Sequence, residues 1–235
     1  MLCNKECFLF MKENMVMKKK EKNALELKQE LFERYPRLVS CKVEFEKAFL
    51  LLQECYKSGR KLLIAGNGGS AADSEHIVSE LMKSFLFNRR IDSEFEKKLA
   101  SDFGKDGIGL ATKLEGALTA IPLTSMSVLT SAITNDVDAT VSFAQQLYGY
   151  GSKDDVFMGI STSGNSLNII YALMTAKAKG LKTVVLTGGD GGKCRELADV
   201  AICVPESETF KIQELHVPIY HALCSMLEAE FFEER

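Results

Sequence analysis

A histidine and a glutamate, His76 and Glu80, stand four positions apart in a stretch with the pattern of a helix. Residues with this spacing lie on one face of a helix, about one turn apart. An imidazole and a carboxylate placed in this way can share a divalent metal ion or act as an acid and base pair. The alternative is an ion pair on the helix surface, but the glycine-rich loop directly before this helix favours a functional site.

Further polar side chains recur near the end of the sequence, where Gln213, His216 and His221 fall on one predicted helix. His216 and His221 point about 140° apart on a regular helix, so at most one of them faces a given site. Gln213 and His221 are separated by about 12 Å along an ideal helix axis. A single ion could bind both only if the helix starts late, if Pro218 bends it, or if the ligands come from different subunits.

A glycine-rich loop, Gly66-Asn67-Gly68-Gly69-Ser70, follows a predicted strand and precedes the helix of His76. Glycines let the backbone approach a ligand closely, and the helix N-terminus offers free N–H groups and the positive end of a dipole. The alternative is a simple tight turn between a strand and a helix. The loop fits the dinucleotide pattern G-x-G-x-x-A only weakly, because no acidic residue follows at the end of a second strand to hold a ribose.

A second loop, Ser161-Thr162-Ser163-Gly164-Asn165-Ser166, lies between a predicted strand and a predicted helix. Its four hydroxyls and the helix N-terminus can hold a phosphate dianion without a fixed cation, which suits reversible binding of a small phosphate ester. Serine and threonine are also common helix caps. Four hydroxyls and a glycine within six residues exceed what a cap needs, so we predict a phosphate site here.

Short apolar segments that alternate with helical patterns must position these loops and helices. The segments are 61–65, 118–123, 156–160, 183–186 and 200–204. This alternation predicts βαβ units and a parallel sheet covered by helices on both faces, hence an α/β fold class. Two N-terminal helices are predicted within 22–58, with a break near Tyr35-Pro36. The last helix is predicted over about 211–232, with Pro218 kinking it or marking its first turn.

Two segments stand outside this repeating pattern. Residues 1–20 are charged and irregular, and we predict an N-terminal extension without regular structure. Residues 84–117 are charged and contain several glycines, which predicts an insertion with helical pieces that serves as a lid or an interface element. Residues 21–235, including this insertion, are predicted to form a single domain.

Composition limits the classes of function. The chain has 235 residues, a formal net charge of −3 and no dense stripe of Lys and Arg outside Lys18–Lys20, so nucleic acid is not expected as a partner. No apolar run reaches the ~18 residues that a membrane-spanning helix needs, so no membrane association is expected. The seven cysteines form no Cys-x-x-Cys pair, which is typical of free thiols in a reducing compartment and predicts the cytoplasm.

Four sequence blocks resemble the signature blocks of bacterial phosphoheptose isomerases, a branch of the SIS (sugar isomerase) fold. They are KLLIAGNGGSAADSEHIVSEL at 61–81, MGISTSGNS at 158–166, LTGGDGGKC at 186–194 and KIQELHVPIYHA at 211–222. The serine-rich loop is typical of SIS domains in general. The GNGGS loop with His-x3-Glu and the Gln-Glu-x-His-x4-His pattern are typical of this branch. The resemblance covers roughly residues 40–232, apart from the insertion.

The resemblance implies a three-layer α/β/α sandwich with a five-stranded parallel sheet of flavodoxin-like type, in a homotetramer with active sites at subunit interfaces. It implies one Zn²⁺ per active site, with His76, Glu80, Gln213 and His221 as the zinc-site residues, and Glu80 and His221 as the acid/base pair. The positions that it implies for substrate contact are Asn67, Gly68, Gly69, Glu80, Asn135, Asp136, Ser161, Thr162, Ser163, Ser166 and Gln213.

The implied activity is the interconversion of sedoheptulose 7-phosphate and D-glycero-D-manno-heptose 7-phosphate by proton transfer through an enediol. The long segment 84–117, the Lys83-Ser84 pair where the family often has Gly-Arg, and the extended N-terminus leave the exact sugar phosphate open. Two alternatives remain. One is a non-catalytic SIS protein that acts by binding, like the DnaA initiator-associating protein. The other is a nucleotide-cofactor enzyme, which the missing ribose-binding acid disfavours.

Overall fold

Five parallel strands form the centre of the protein, and the computed structural model describes residues 22–232 around them. The extension predicted for residues 1–20 lies outside the described residues. The strands are β1 (Leu62–Gly66), β2 (Ala120–Pro122), β3 (Val156–Ile160), β4 (Lys182–Gly188) and β5 (Val200–Val204). They lie in the order β2-β1-β3-β4-β5, and each neighbouring pair is parallel. All five predicted strands are therefore confirmed.

Helices cover both faces of the sheet. They are α1 (Ala24–Arg34), α2 (Lys42–Lys57), α3 (Gly69–Met82), α4 (Ser93–Ala111), α5 (Ser127–Asp136), α6 (Ser142–Tyr150), α7 (Leu167–Ala178), α8 (Gly192–Leu197) and α9 (Thr209–Phe231). Short 3₁₀ helices span Pro36–Cys41 and Ala139–Val141.

Two apolar clusters separate the layers, because successive side chains of a strand point to opposite faces. Leu62 and Ile64 of β1 pack into a cluster with α1, α2, α3 and α9. Leu63 and Ala65 pack into a second cluster, with α6 and α7. The predicted three-layer sandwich with a five-stranded parallel sheet is confirmed.

The helix boundaries agree with the sequence at the N-terminus and differ in the last helix. Helix α1 begins with a capping box, in which Asn23 and Glu26 each accept a hydrogen bond from the other's backbone N–H, and it ends before Pro36 as predicted. Helix α9 continues through Pro218, which lies well inside it. The prediction that Pro218 marks the first turn of the helix is therefore wrong, because α9 begins nine residues earlier, at Thr209.

Helix α4 lies within the predicted insertion and confirms its helical character. Asp92 caps the helix by accepting hydrogen bonds from the N–H groups of Glu94 and Phe95, and Gly104 interrupts it with a φ of 56°. Large apolar side chains remain exposed along it, among them Phe95, Phe103 and Ile108. The lid or interface role remains a prediction.

The strand order creates a switch point between β1 and β3. The chain continues from β1 to β2 on one side and from β3 to β4 on the other. In open α/β sheets, ligands bind in the crevice at the carboxyl ends of the strands where the order reverses. The glycine-rich loop follows β1 and the serine-rich loop follows β3, so the fold places both at this crevice. Within residues 22–232, no helix combines the length and apolar character needed to cross a membrane.

Candidate active site

The glycine-rich loop brings the start of α3 into contact with α9. The side-chain amide of Gln213 lies against Gly69, so closely that a Cβ atom at this position would be 2.5 Å from Gln213 Nε2. Gly68 precedes the helix with a φ of 55° and a ψ of −120°, a conformation that L-residues rarely adopt. The loop therefore needs glycine both for its turn and for the approach of Gln213.

The serine-rich loop is stabilised by hydrogen bonds between its own residues and by contact with the backbone of Gly191. Ser161 Oγ donates a hydrogen bond to Ser166 Oγ at 3.0 Å, and Ser163 Oγ accepts one from the backbone N–H of Asn165 at 3.2 Å. The backbone of Gly164 rests directly on that of Gly191, where an added Cβ would lie 1.9 Å from the carbonyl oxygen. These contacts hold the hydroxyls of Ser161, Ser163 and Ser166 in place at the start of α7.

An amide pair joins the two loops across the switch point. Asn67 Nδ2 donates to Asn168 Oδ1 at 3.0 Å, and Asn168 Nδ2 donates to Asn67 Oδ1 at 2.8 Å. Asn168 lies in the first turn of α7 and is absent from the residues predicted from sequence. Its position directly after the serine-rich loop was the available sequence signal.

Helices α3 and α9 bring three of the predicted residues together. His76 Nε2 lies 3.1 Å from Glu80 Oε1 and 3.4 Å from His221 Nε2. The His76 side chain is 43% exposed and that of Glu80 only 12%. The rings of His76 and His221 meet edge to face, with centroids 4.9 Å apart. The group is thus open on the His76 side and enclosed on the Glu80 side.

The surroundings of His221 favour its neutral form. Burial lowers the pKa of His221, the neighbouring His76 lowers this pKa further, and Glu80 opposes both effects. A neutral imidazole can accept a proton or bind a metal ion through its free nitrogen. His221 is therefore suited to either role.

Other predicted residues lie apart from this group. Within residues 22–232, no hydrogen bond joins Gln213 to His76, Glu80 or His221. Asn135 and Asp136 are exposed at the end of α5, and Asn135 Nδ2 donates to Asp136 Oδ1 at 2.8 Å.

His216 also lies away from the group, wholly buried, with Nε2 at 3.3 Å from the carbonyl oxygen of Thr187. Burial lowers the pKa of His216 to about 4, so this side chain is neutral at physiological pH. It packs beneath the end of β4 and faces the core.

A buried ion pair holds the end of α3 against α9. Arg89 is fully buried, and its Nε donates to Glu228 Oε1 at 2.7 Å. Its two terminal nitrogens donate to the carbonyl oxygens of Leu81 and Glu80, each at 2.7 Å. Glu228 also accepts from the backbone N–H groups of residues 85 and 86, at 2.8 and 2.7 Å. The arginine therefore satisfies carbonyls at the C-terminal end of the helix that carries His76 and Glu80.

The donor set fits zinc in type, although it is not preformed. Within the described residues, no group of three or more His, Cys, Asp or Glu side chains is arranged to hold a metal ion. Two imidazoles and a carboxylate nevertheless form a set found in catalytic zinc sites. Donor atoms about 2.0–2.1 Å from one tetrahedral ion lie roughly 3.3 Å apart. The two contacts of His76 Nε2, at 3.1 and 3.4 Å, are close to that spacing.

Comparisons with known proteins identify the family of this chain. A family model described as SIS domain matches residues 97–188. The phosphoheptose isomerase of Sulfurimonas denitrificans is 37% identical over 216 residues, which cover 92% of this chain and 95% of that protein. The phosphoheptose isomerase of Aneurinibacillus thermoaerophilus is 40% identical over 182 residues, covering 77% and 79%. The solved phosphoheptose isomerase from Neisseria gonorrhoeae superposes with a TM-score of 0.64 at 30% identity, covering 95% of this chain and 97% of that one. The chain therefore belongs to the phosphoheptose isomerase family of SIS-domain proteins.

Proposed function

We propose that this protein is a sugar-phosphate isomerase that interconverts sedoheptulose 7-phosphate and D-glycero-D-manno-heptose 7-phosphate. The observation that carries the proposal is the meeting of His76 and Glu80, in the second half of α3, with His221 of α9. Family membership supplies the reaction class, and the site supplies groups able to perform it.

The serine-rich loop is proposed to bind the substrate's phosphate. Ser161, Thr162, Ser163 and Ser166 offer hydroxyl donors, and the start of α7 offers free backbone N–H groups. The rigid bracing by Gly191 means that little ordering of the loop is required on binding. Asn67, Gly68, Gly69 and Gln213 are proposed to contact the sugar.

The isomerisation needs one group that transfers a proton between the two reacting carbons and one that transfers a proton between their oxygens. Glu80 is proposed to remove the proton from one carbon and return it to the neighbouring carbon, so that the carbonyl moves by one position through an enediol. Burial favours the neutral form of His221. We propose that this imidazole moves a proton between the two substrate oxygens that are bonded to the reacting carbons. The Glu80 side chain is only 12% exposed, so its carboxylate is largely shielded from bulk water.

A zinc ion is proposed to be held by His76, Glu80 and His221, with Gln213 as the fourth residue of the set. Such an ion would polarise the substrate oxygens next to the reacting carbons. A carboxylate bound directly to a metal is a poorer base, so Glu80 serves one of its two roles at a time.

The active protein is proposed to be a homotetramer in which subunits share sites. Asn135 and Asp136 have no hydrogen bond to the rest of the site within residues 22–232, and the same helix exposes Val128. Contact of these two residues with substrate in a neighbouring subunit would give them the role that the resemblance implies. The described cysteines are free thiols, which suits a reducing compartment, and we propose the cytoplasm.

Replacing Glu80 by glutamine tests the proposal, because glutamine keeps the shape of the side chain and cannot accept the proton. We expect kcat for sedoheptulose 7-phosphate to fall by at least ~10²-fold, the low end for a positioned acid/base group. Glu196→Gln, an exposed carboxylate on α8, is the control and should leave kcat unchanged. Wild-type protein that isomerises none of a panel of ketose phosphates, or a Glu80→Gln variant of wild-type rate, would contradict the assignment.

A further inference from the structure

We propose that Tyr220 and Asp73 hold His76 in the tautomer that carries its proton on Nδ1. In this form His76 Nε2 presents a lone pair toward Glu80 and His221, as a metal ion held by these side chains requires. Tyr220 and Asp73 are thus positioning residues. The inference deepens the proposed function and rests on it for the identity of the ion.

The Tyr220 hydroxyl lies between two side chains of α3. Its oxygen is 3.3 Å from Asp73 Oδ1 and 3.1 Å from His76 Nδ1. Asp73 and His76 are three positions apart and therefore lie on one face of α3, toward α9. The tyrosine is 2% exposed, and its ring meets that of His76 edge to face at 5.4 Å. Packing fixes the hydroxyl in this position.

Counting protons decides which way the hydrogen bonds run. The tyrosine hydroxyl has one proton, and an ionised carboxylate can only accept. Within residues 22–232, Tyr220 is the sole hydrogen-bond partner of the Asp73 side chain, and Asp73 Oδ2 is buried with no partner. Since Asp73 Oδ2 already lacks a donor, a carboxylate that also had no donor at Oδ1 would be disfavoured, so the hydroxyl proton points to Asp73. The hydroxyl oxygen then accepts from the Nδ1–H of His76.

The other side of the His76 ring shows the consequence. With the proton on Nδ1, Nε2 is a bare lone pair that faces Glu80 Oε1 at 3.1 Å. Two acceptors at this distance repel each other unless a cation lies between them. Histidines that bind zinc commonly donate their second N–H to a carboxylate, a carbonyl or a water, and this contact fixes the tautomer. In this protein the Tyr220 hydroxyl lies between the His76 imidazole and the Asp73 carboxylate.

Nitrogen NMR of uniformly ¹⁵N-labelled, zinc-loaded protein tests the tautomer directly, because the chain has only three histidines to assign. We expect the wild-type His76 to bind the ion through Nε2 and to carry a slowly exchanging proton on Nδ1. Tyr220→Phe keeps the ring and removes the acceptor, so the Nδ1 proton should exchange faster with solvent. A wild-type His76 without a proton on Nδ1, or an Nδ1 proton that exchanges equally slowly in Tyr220→Phe, would overturn the proposal.

Zinc affinity, measured by competition with a chelator, tests the consequence. We expect Tyr220→Phe to weaken zinc binding about 10–100-fold, as for other residues that orient metal-binding histidines. Tyr56→Phe is the matched control, because the Tyr56 hydroxyl is also buried but has no hydrogen-bond partner in the described part of the chain. It should leave the affinity unchanged.

The outcomes separate this inference from the proposed function. Wild-type protein that binds zinc and isomerises sugar phosphate, together with a Tyr220→Phe variant of equal zinc affinity, overturns the inference alone. Wild-type protein that binds no zinc overturns the metal role in both, and full isomerase activity in that protein leaves only the proton-transfer assignment standing.

Discussion

Replacing Arg89 by methionine removes the guanidinium that joins the end of α3 to α9. Methionine is similar in length and can fill the space, so the effect reports on charge and hydrogen bonding more than on packing. The change leaves Glu228 buried with two backbone N–H donors and no cation. It also leaves the carbonyls of Leu81 and Glu80 without the donor that each now has at 2.7 Å.

The expected cost follows from these contacts. Removing one partner of a buried ion pair costs about 3–5 kcal/mol of unfolding free energy. Three hydrogen bonds are lost together, one of them between opposite charges, so we expect about 4 kcal/mol for Arg89→Met. In a chain of this size each kcal/mol lowers Tm by about 2–4 °C, which gives a fall of about 8–16 °C.

Urea unfolding followed by circular dichroism measures this free energy. Lys57→Met is the matched control. Lys57 of α2 forms an ion pair with Glu230, which lies on α9 like Glu228, but the Lys57 side chain is 50% exposed. A surface pair of this kind is worth about 0–1 kcal/mol. The two variants therefore change the same kind of contact, one inside the protein and one at its surface.

The double variant Arg89→Met/Glu228→Leu tests which contacts stabilise the protein, the ion pair between the two side chains or the hydrogen bonds that they make to the backbone. A buried pair that bonds only to itself can be replaced by apolar residues without loss of stability. Here each member also serves two backbone groups, so the double variant should remain well below the wild type in stability. A double variant as stable as the wild type would refute this reasoning.

Two further predictions concern α9. Gly69→Ala places a Cβ atom 2.5 Å from Gln213 Nε2, and because the amide can swing away, kcat/KM should fall on the order of 10-fold to 100-fold with little change in Tm. His216 has a pKa lowered to about 4 by burial, against about 6.5 when unfolded. The unfolded state thus binds the extra proton between these values, and stability should fall by up to about 3 kcal/mol as the pH drops from 6.5 to 4. His216→Leu should lose this part of the pH dependence, so its unfolding free energy should differ less between pH 7 and pH 4.5 than that of the wild type. The same difference in both proteins would contradict the assignment.

The sequence predicted the sheet well because each strand is a buried apolar run that ends at a polar loop. It also predicted the His76–Glu80 pair, since four-residue spacing on a helix is a local property. The arrival of His221 beside them required the packing of α3 on α9, which the family resemblance supplied and periodicity alone did not.

Contacts between distant parts of the chain were beyond the sequence pattern. Arg89 and Glu228 are 139 positions apart, and Tyr220 and His76 are 144 apart. Helical periodicity tells which face of a helix is buried, but not which polar group on another element it will meet. The sequence could have predicted that Asp73 lies near His76, because Asp73 is about one turn before His76 on the same face of the helix.

The placement of Gln213, Tyr220, His221 and Glu228 on α9 has a consequence for the growing chain. Ribosomes build proteins from the N-terminus, so the glycine-rich loop, the serine-rich loop and the whole sheet emerge before this helix. Until α9 docks, His76 lacks both Tyr220 and His221, and Arg89 lacks its counter-ion. Under the proposed function, a nascent chain can therefore hold both loops and still lack His221, and activity should begin only when α9 is in place.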